Sequence, residues 1–124
     1  MKNKVCWWEI CTPDAGALVE FYHKAFGWET NAIPEMNYNT LMSGNGEQGG
    51  IDGGVFSPQP GQEIPPYLTL YIAVDDVDAM AAKVKKLGAT LTCEPMDIAG
   101  VGRIVMFQDP QGHMVGLIQS EKQD

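Results

Sequence analysis

The chain has little of what builds metal clusters or disulfide frameworks: among its 124 residues are two histidines and three cysteines. An odd cysteine count closes no disulfide set, and the four residues between Cys6 and Cys11 do not match a zinc-knuckle spacing. Cys6, Cys11 and Cys93 therefore read as reduced core thiols ahead of nucleophiles. Basic side chains are scarce too, eight Lys and Arg against sixteen Asp and Glu, for a formal charge of -8. That balance repels nucleic acid and anionic membrane surfaces and leaves neutral or cationic small molecules open, besides serving solubility. No apolar run, in MKNKVCWWEI or later, reaches the length of a signal peptide or a spanning helix, so the expectation is a soluble, cytoplasmic protein.

What the chain does have is one unit written twice. Residues 5–27, VCWWEICTPDAGALVEFYHKAFG, and 67–88, YLTLYIAVDDVDAMAAKVKKLG, each run from a β-branched and aromatic stretch through an Asp and an amphipathic segment to a Gly. The interval is thirteen residues in both, Asp14 to Gly27 and Asp75 to Gly88. Such a duplication packs about a pseudo-twofold and leaves a cleft between its copies. With 44% hydrophobic residues the chain can fill one core, so a single domain over residues 1–124 is expected, with modules at about 4–56 and 67–120. Residues 57–66, SPQPGQEIPP, are proline-rich and read as an extended linker between them.

In the first module, residues 5–12 alternate so that Val5, Trp7, Glu9 and Cys11 share one face and Cys6, Trp8, Ile10 and Thr12 the other. Asp14 caps a helix with Leu18, Phe21, Tyr22, Ala25 and Phe26 on its apolar stripe and Gly27 at its end; His23 lies off the stripe and reads as solvated. Strands follow at 28–33, 38–43 and 49–56. The pairs Gly49-Gly50 and Gly53-Gly54 lack the order of a phosphate loop and imply a ligand or strand passing close to the backbone.

In the second module, Leu68, Leu70, Ile72 and Val74 form an aliphatic face expected to receive the next helix, while Thr69, Tyr71 and Ala73 form the other. That helix carries Val77, Met80, Ala81, Val84 and Leu87, is capped by Asp75 or Asp76, and has lysines in its last turn. Three strands, 90–94, 103–108 and 113–119, complete the module. Asp109-Pro110-Gln111-Gly112 joins the last two as a type I turn.

A repeated β-α-β-β-β unit, with Phe21-Tyr22 and Phe26-Gly27-Trp28 closing the first helix and Asp109-Pro110-Gln111-Gly112 near the end, resembles the vicinal oxygen chelate superfamily of glyoxalases, extradiol dioxygenases and bleomycin-resistance proteins. The resemblance covers nearly the whole chain. It implies an α+β fold in which two tandem βαβββ modules form a curled, cup-shaped mixed sheet with helices outside, and it implies a homodimer. It also implies metal ligands at three places where this chain has Trp7, Thr69 and Gly116, and a fourth within 51–56, where only Asp52 could serve. Indole and glycine offer no ligand atom and a neutral hydroxyl is a poor one, so no metal and no cofactor are expected. A weak hard-cation site on Glu9 and Asp52 stays open.

The face that carries the family's ligands is, by the same resemblance, the cup interior. Here it would be lined by Trp7, Glu9 and Cys11, by Thr69 and Tyr71, and by Met114, Gly116 and Ile118, with Ile104 and Met106 added by parity. An apolar and aromatic lining with a few polar handles suits a small molecule, aromatic or cationic. Glu9 could bind a cation, accept a hydrogen bond or act as a general base, or it could simply pair internally with Thr69 or Tyr71. Three functions therefore compete: a metal-free binding protein of the bleomycin-resistance type; an enzyme, either a metal-dependent glyoxalase-like lyase or dioxygenase or a metal-free one using Glu9 as acid or base; and a structural or regulatory dimer subunit.

Overall fold

The computed structural model describes residues 3–44 and 50–120. They form two helices and nine strands in mixed pairing, an α+β fold as the repeat implied. The chain divides into two compact units, one made of Trp7–Thr69 and the other of Leu70 onward together with the first residues through Cys6. Among the described residues no helix is long and apolar enough to cross a membrane.

The first repeat runs β1 (Lys4–Cys11), α1 (Ala15–Phe26), β2 (Thr30–Ile33), β3 (Tyr38–Leu41) and β4 (Gly53–Phe56). β1 pairs parallel with β4, β4 antiparallel with β3, and β3 antiparallel with β2. A 3-10 turn over Pro34–Met36 ends on Asn37 in the left-handed region, which reverses the chain between β2 and β3. α1 begins where the Asp14 carboxylate accepts the Ala17 N–H at 3.1 Å, and it stops at Gly27, whose φ of 76° suits a residue without a Cβ.

The buried stripe of α1 differs from the one its aromatics suggested. Ala15 and Val19 are buried, joined by Leu18 and Tyr22, and they meet Leu41 and Val55 with Trp8, Ile10 and Trp28 at the edge of the cluster. Phe21 and Phe26 remain 57% and 61% exposed, and Ala25 is exposed as well. Small residues face the sheet because the helix lies close to it. The bulkier rings instead pack on one another beside Trp28, with Phe26 and Trp28 centroids 5.1 Å apart.

The second repeat runs β5 (Tyr67–Ala73), α2 (Val77–Lys86), β6 (Thr90–Leu91), β7 (Met96–Ile98), β8 (Gly102–Gln108) and β9 (Met114–Ser120). Its opening and closing strands, β5 and β9, again pair parallel, and β8 pairs antiparallel with β9, β6 and β7. β7 is an added strand the sequence did not signal, since Met96-Asp97-Ile98 is too short to show a period. Asp76, and not Asp75, caps α2 by accepting the Ala79 N–H at 3.0 Å.

The core of this unit comprises Val74, Val77, Ala81, Ala89, Val105, Phe107 and Leu117. Ile72 packs against it, so the aliphatic face of β5 receives α2 over its second half. Leu68 and Leu70, expected on the same footing, are 69% and 45% exposed. In the turn between β8 and β9, Asp109 accepts the backbone N–H of Gln111 and of His113, both at 2.9 Å, and Gly112 takes φ of 93°.

Candidate functional site

Strand parity distributes β1 over two faces. Trp8 and Ile10 pack into the core beneath α1, so Trp7, Glu9 and Cys11 face the other side. Glu9 is only 7% exposed there. Its Oε1 accepts the Tyr38 hydroxyl at 3.1 Å and its Oε2 accepts the Tyr67 hydroxyl at 2.7 Å. The Trp7 indole N–H donates in turn to the Tyr38 oxygen at 2.8 Å. A buried carboxylate thus holds two phenols, one of which is itself held by an indole.

The rings form a continuous wall. Tyr38 stacks on Phe56 with centroids 6.0 Å apart and planes 19° from parallel, and Phe56 meets Tyr67 edge-on at 6.3 Å. Burial, and after it the negative charge of Glu9, push both phenols above the usual tyrosine range, so Tyr38 and Tyr67 stay protonated donors. Burial followed by the Glu9 charge also raises the Cys11 thiol above its ordinary value.

The glycine pair on β4 explains how these rings fit. A Cβ on Gly54 would fall inside the Tyr38 ring, and one on Gly53 inside the Trp8 indole. The close passage anticipated at Gly53-Gly54 is therefore made by two of the chain's own aromatic side chains, one on each face. Gly49 lies outside the described residues.

Tyr38, Phe56 and Tyr67 were not singled out from the sequence. Tyr67 could have been, since it shares the parity of Thr69 two residues on. Tyr38 and Phe56 depend on a register that the glycine-rich segment before β4 hides. Thr69 is buried, as expected of that face. The Asp52 carboxylate accepts the Gly44 N–H at 2.7 Å.

The remaining expected residues belong to the second unit. Tyr71 pairs with Gly116, and Gly116 with Met106, so the three stand in line across β5, β9 and β8. A Cβ on Gly116 would lie 2.6 Å from the Tyr71 ring and 3.0 Å from the Met106 sulfur. Ile118 pairs with Ala73 and Ile104, and Met114 with Gln108. Both histidines are held locally: His23 Nδ1 lies 2.7 Å from the Trp28 carbonyl oxygen, and His113 Nδ1 lies 3.1 Å from Asp109 Oδ2. An open cavity of about 230 Å³ in this unit, beside Asn3, Val74 and Met80, includes none of the expected site residues.

The residues present at the positions of the resembled metal site do not fit an ion. The Trp7 nitrogen carries a hydrogen already given to Tyr38, Thr69 offers a neutral hydroxyl, and Gly116 has Tyr71 where a ligand side chain would begin. Among the described residues no group of three or more His, Cys, Asp or Glu side chains is gathered as a metal site would need.

Comparison with known proteins gives a consistent family. The family model described as Glyoxalase/Bleomycin resistance protein/Dioxygenase superfamily matches residues 4–117. A Mycobacterium bovis protein with the provisional name of a glyoxylase, CFP32, is 33% identical over 120 residues, 94% of this chain and 44% of that protein. The anthracycline biosynthesis protein DnrV of Streptomyces peucetius is 32% identical over 118 residues, 86% of this chain and 43% of its own length. The chain thus spans about half the length of these curated relatives. Among solved structures, methylmalonyl-CoA epimerase from Mycobacterium tuberculosis superposes with a TM-score of 0.71 at 17% identity, covering 98% of this chain and 90% of that one. At that identity the likeness establishes the fold alone.

Proposed function

This chain belongs to the Glyoxalase/Bleomycin resistance protein/Dioxygenase superfamily, and from that premise we propose that it is a small-molecule-binding protein that needs no metal ion. The observation that carries the reading is the buried Glu9 carboxylate, fixed by the Tyr38 and Tyr67 hydroxyls and walled by aromatic rings. Buried charge is costly, and a small domain gains little stability from retaining it, whereas a fixed acceptor among ring faces is what orients a bound molecule. Trp7, Glu9 and Thr69 act in binding together with Tyr38, Phe56 and Tyr67. In the second unit, Tyr71, Met106, Met114, Gly116 and Ile118 are that unit's own candidate ligand contacts. The protein acts in the cytoplasm as a homodimer.

A second reading is enzymatic, with Glu9 as acid or base, and the provisional glyoxylase name of one relative favours it. Two phenols donating to one carboxylate favour the first, because they hold Glu9 as a stationary acceptor. The test is to strip the protein with chelator, verify by elemental analysis that no metal remains, and titrate a panel of small aromatic and polar compounds by calorimetry. Saturable binding by the stripped protein, without turnover, is expected. Binding that returns only with one equivalent of Zn²⁺, Ni²⁺, Mn²⁺ or Fe²⁺ would overturn the reading.

A further inference from the structure

We propose that the ligand bound at Glu9 is an organic cation, an alkylated or aromatic ammonium, with Glu9 as its counter-charge and Tyr38, Phe56 and Tyr67 as the ring faces that receive it. This deepens the binding reading above and rests on it.

Three hydrogen bonds set which atoms the cluster turns toward Glu9. Trp7 donates to Tyr38, and Tyr38 and Tyr67 each donate to Glu9, so these polar hydrogens all point inward toward the carboxylate. What the phenols present elsewhere is oxygen lone pairs and π faces, both of negative potential. Tyr38, Phe56 and Tyr67 are each half-buried. An anion brought there meets the like charge of the Glu9 carboxylate. A neutral molecule gains contact area only. A soft cation gains contact area, attraction to the ring faces and attraction to Glu9 in a site partly withdrawn from water.

Tyr38 and Phe56 stack nearly parallel while Tyr67 stands edge-on to Phe56, so the wall offers two ring orientations to a quaternary group. All five residues lie in one compact unit, and the arrangement is complete within it. The formal charge of -8 adds a field that draws cations and excludes anions at long range.

The test uses three probes of one size on the full chain: benzyltrimethylammonium, benzyl alcohol and benzoate, titrated at low salt by tryptophan fluorescence and calorimetry. Benzyltrimethylammonium is expected to bind about tenfold or more tighter than benzyl alcohol, with benzoate weakest, and its affinity should fall as NaCl rises. Glu9→Gln should remove most of that preference, weakening benzyltrimethylammonium far more than benzyl alcohol. Should Glu9→Gln fail to fold, Phe56→Leu replaces it and is expected to weaken the cation more than the alcohol. Benzyl alcohol binding as tightly as the cation would overturn the charge assignment while leaving the binding reading standing. Failure of all three probes would overturn the cation assignment, and the compound panel described above would then decide separately whether anything binds.

Discussion

The ring of Tyr38 lies over the bare backbone of Gly54, in the space a Cβ there would fill. On the other side of β4, Gly54 pairs in register with Glu9 of β1. The glycine thus lets a side chain from β3 cross β4 and reach a carboxylate on β1. Backbone, ring and acid form one device, and its parts come from three separate stretches of chain.

Gly54→Ala should therefore dislodge Tyr38 and loosen its bond to Glu9, at a stability cost of about 1–3 kcal/mol, as for other overpacked sites. Urea denaturation measures it. In a Tyr38→Ala background the same substitution should cost much less, because the ring it collides with is gone. Equal costs in both backgrounds would show that the ring does not depend on the missing Cβ.

The raised phenols predict an alkaline limit to stability. Below the ordinary tyrosine value of about 10 both folded and unfolded chains keep these protons, so Tyr38 and Tyr67 contribute no pH dependence. Above it the unfolded chain releases protons that the folded one retains, and stability falls as pH rises. Urea midpoints between pH 8 and 11 should trace this fall, and Tyr67→Phe should make it shallower. An unchanged slope in the variant would mean that the Tyr67 phenol ionises as freely in the folded protein as in the unfolded chain.

In the second unit Gly116 stands against Tyr71 and Met106. A methyl group there meets the rigid Tyr71 ring and the flexible end of Met106, so Gly116→Ala should cost about 1–3 kcal/mol and Tyr71→Ala should recover most of it. Gly116→Glu, which supplies the carboxylate that the resemblance implies at this place, should be more destabilising still and bind no transition metal tightly. Tight one-to-one uptake of Mn²⁺ or Zn²⁺ by that variant would show that the remaining donors are better placed than Trp7 and Thr69 suggest.

Much of the fold was legible because its signals are short-range. The caps at Asp14 and Asp76, the glycine at the end of α1 and the Asp109–Gly112 turn each depend on neighbours within about one helical turn. The α1 stripe was misjudged because aromatic size suggested burial, whereas close packing against the sheet favours Ala15 and Val19. β7 and the true start of β4 were missed because three- and four-residue strands carry too few alternations to read.

Parity along β1, a property of sequence alone, put Trp7, Glu9 and Cys11 together on one face. What surrounds Glu9 was not written there. Tyr38 and Tyr67 stand 29 and 58 residues from it in the chain; the register of β3 on β4 on β1, with a glycine bare enough for a ring to cross, brings Tyr38 to the carboxylate, and Tyr67 comes from the start of β5. Alternation is fixed by the geometry of one strand; partnership is fixed by how several strands pair, and that is a property of the folded whole.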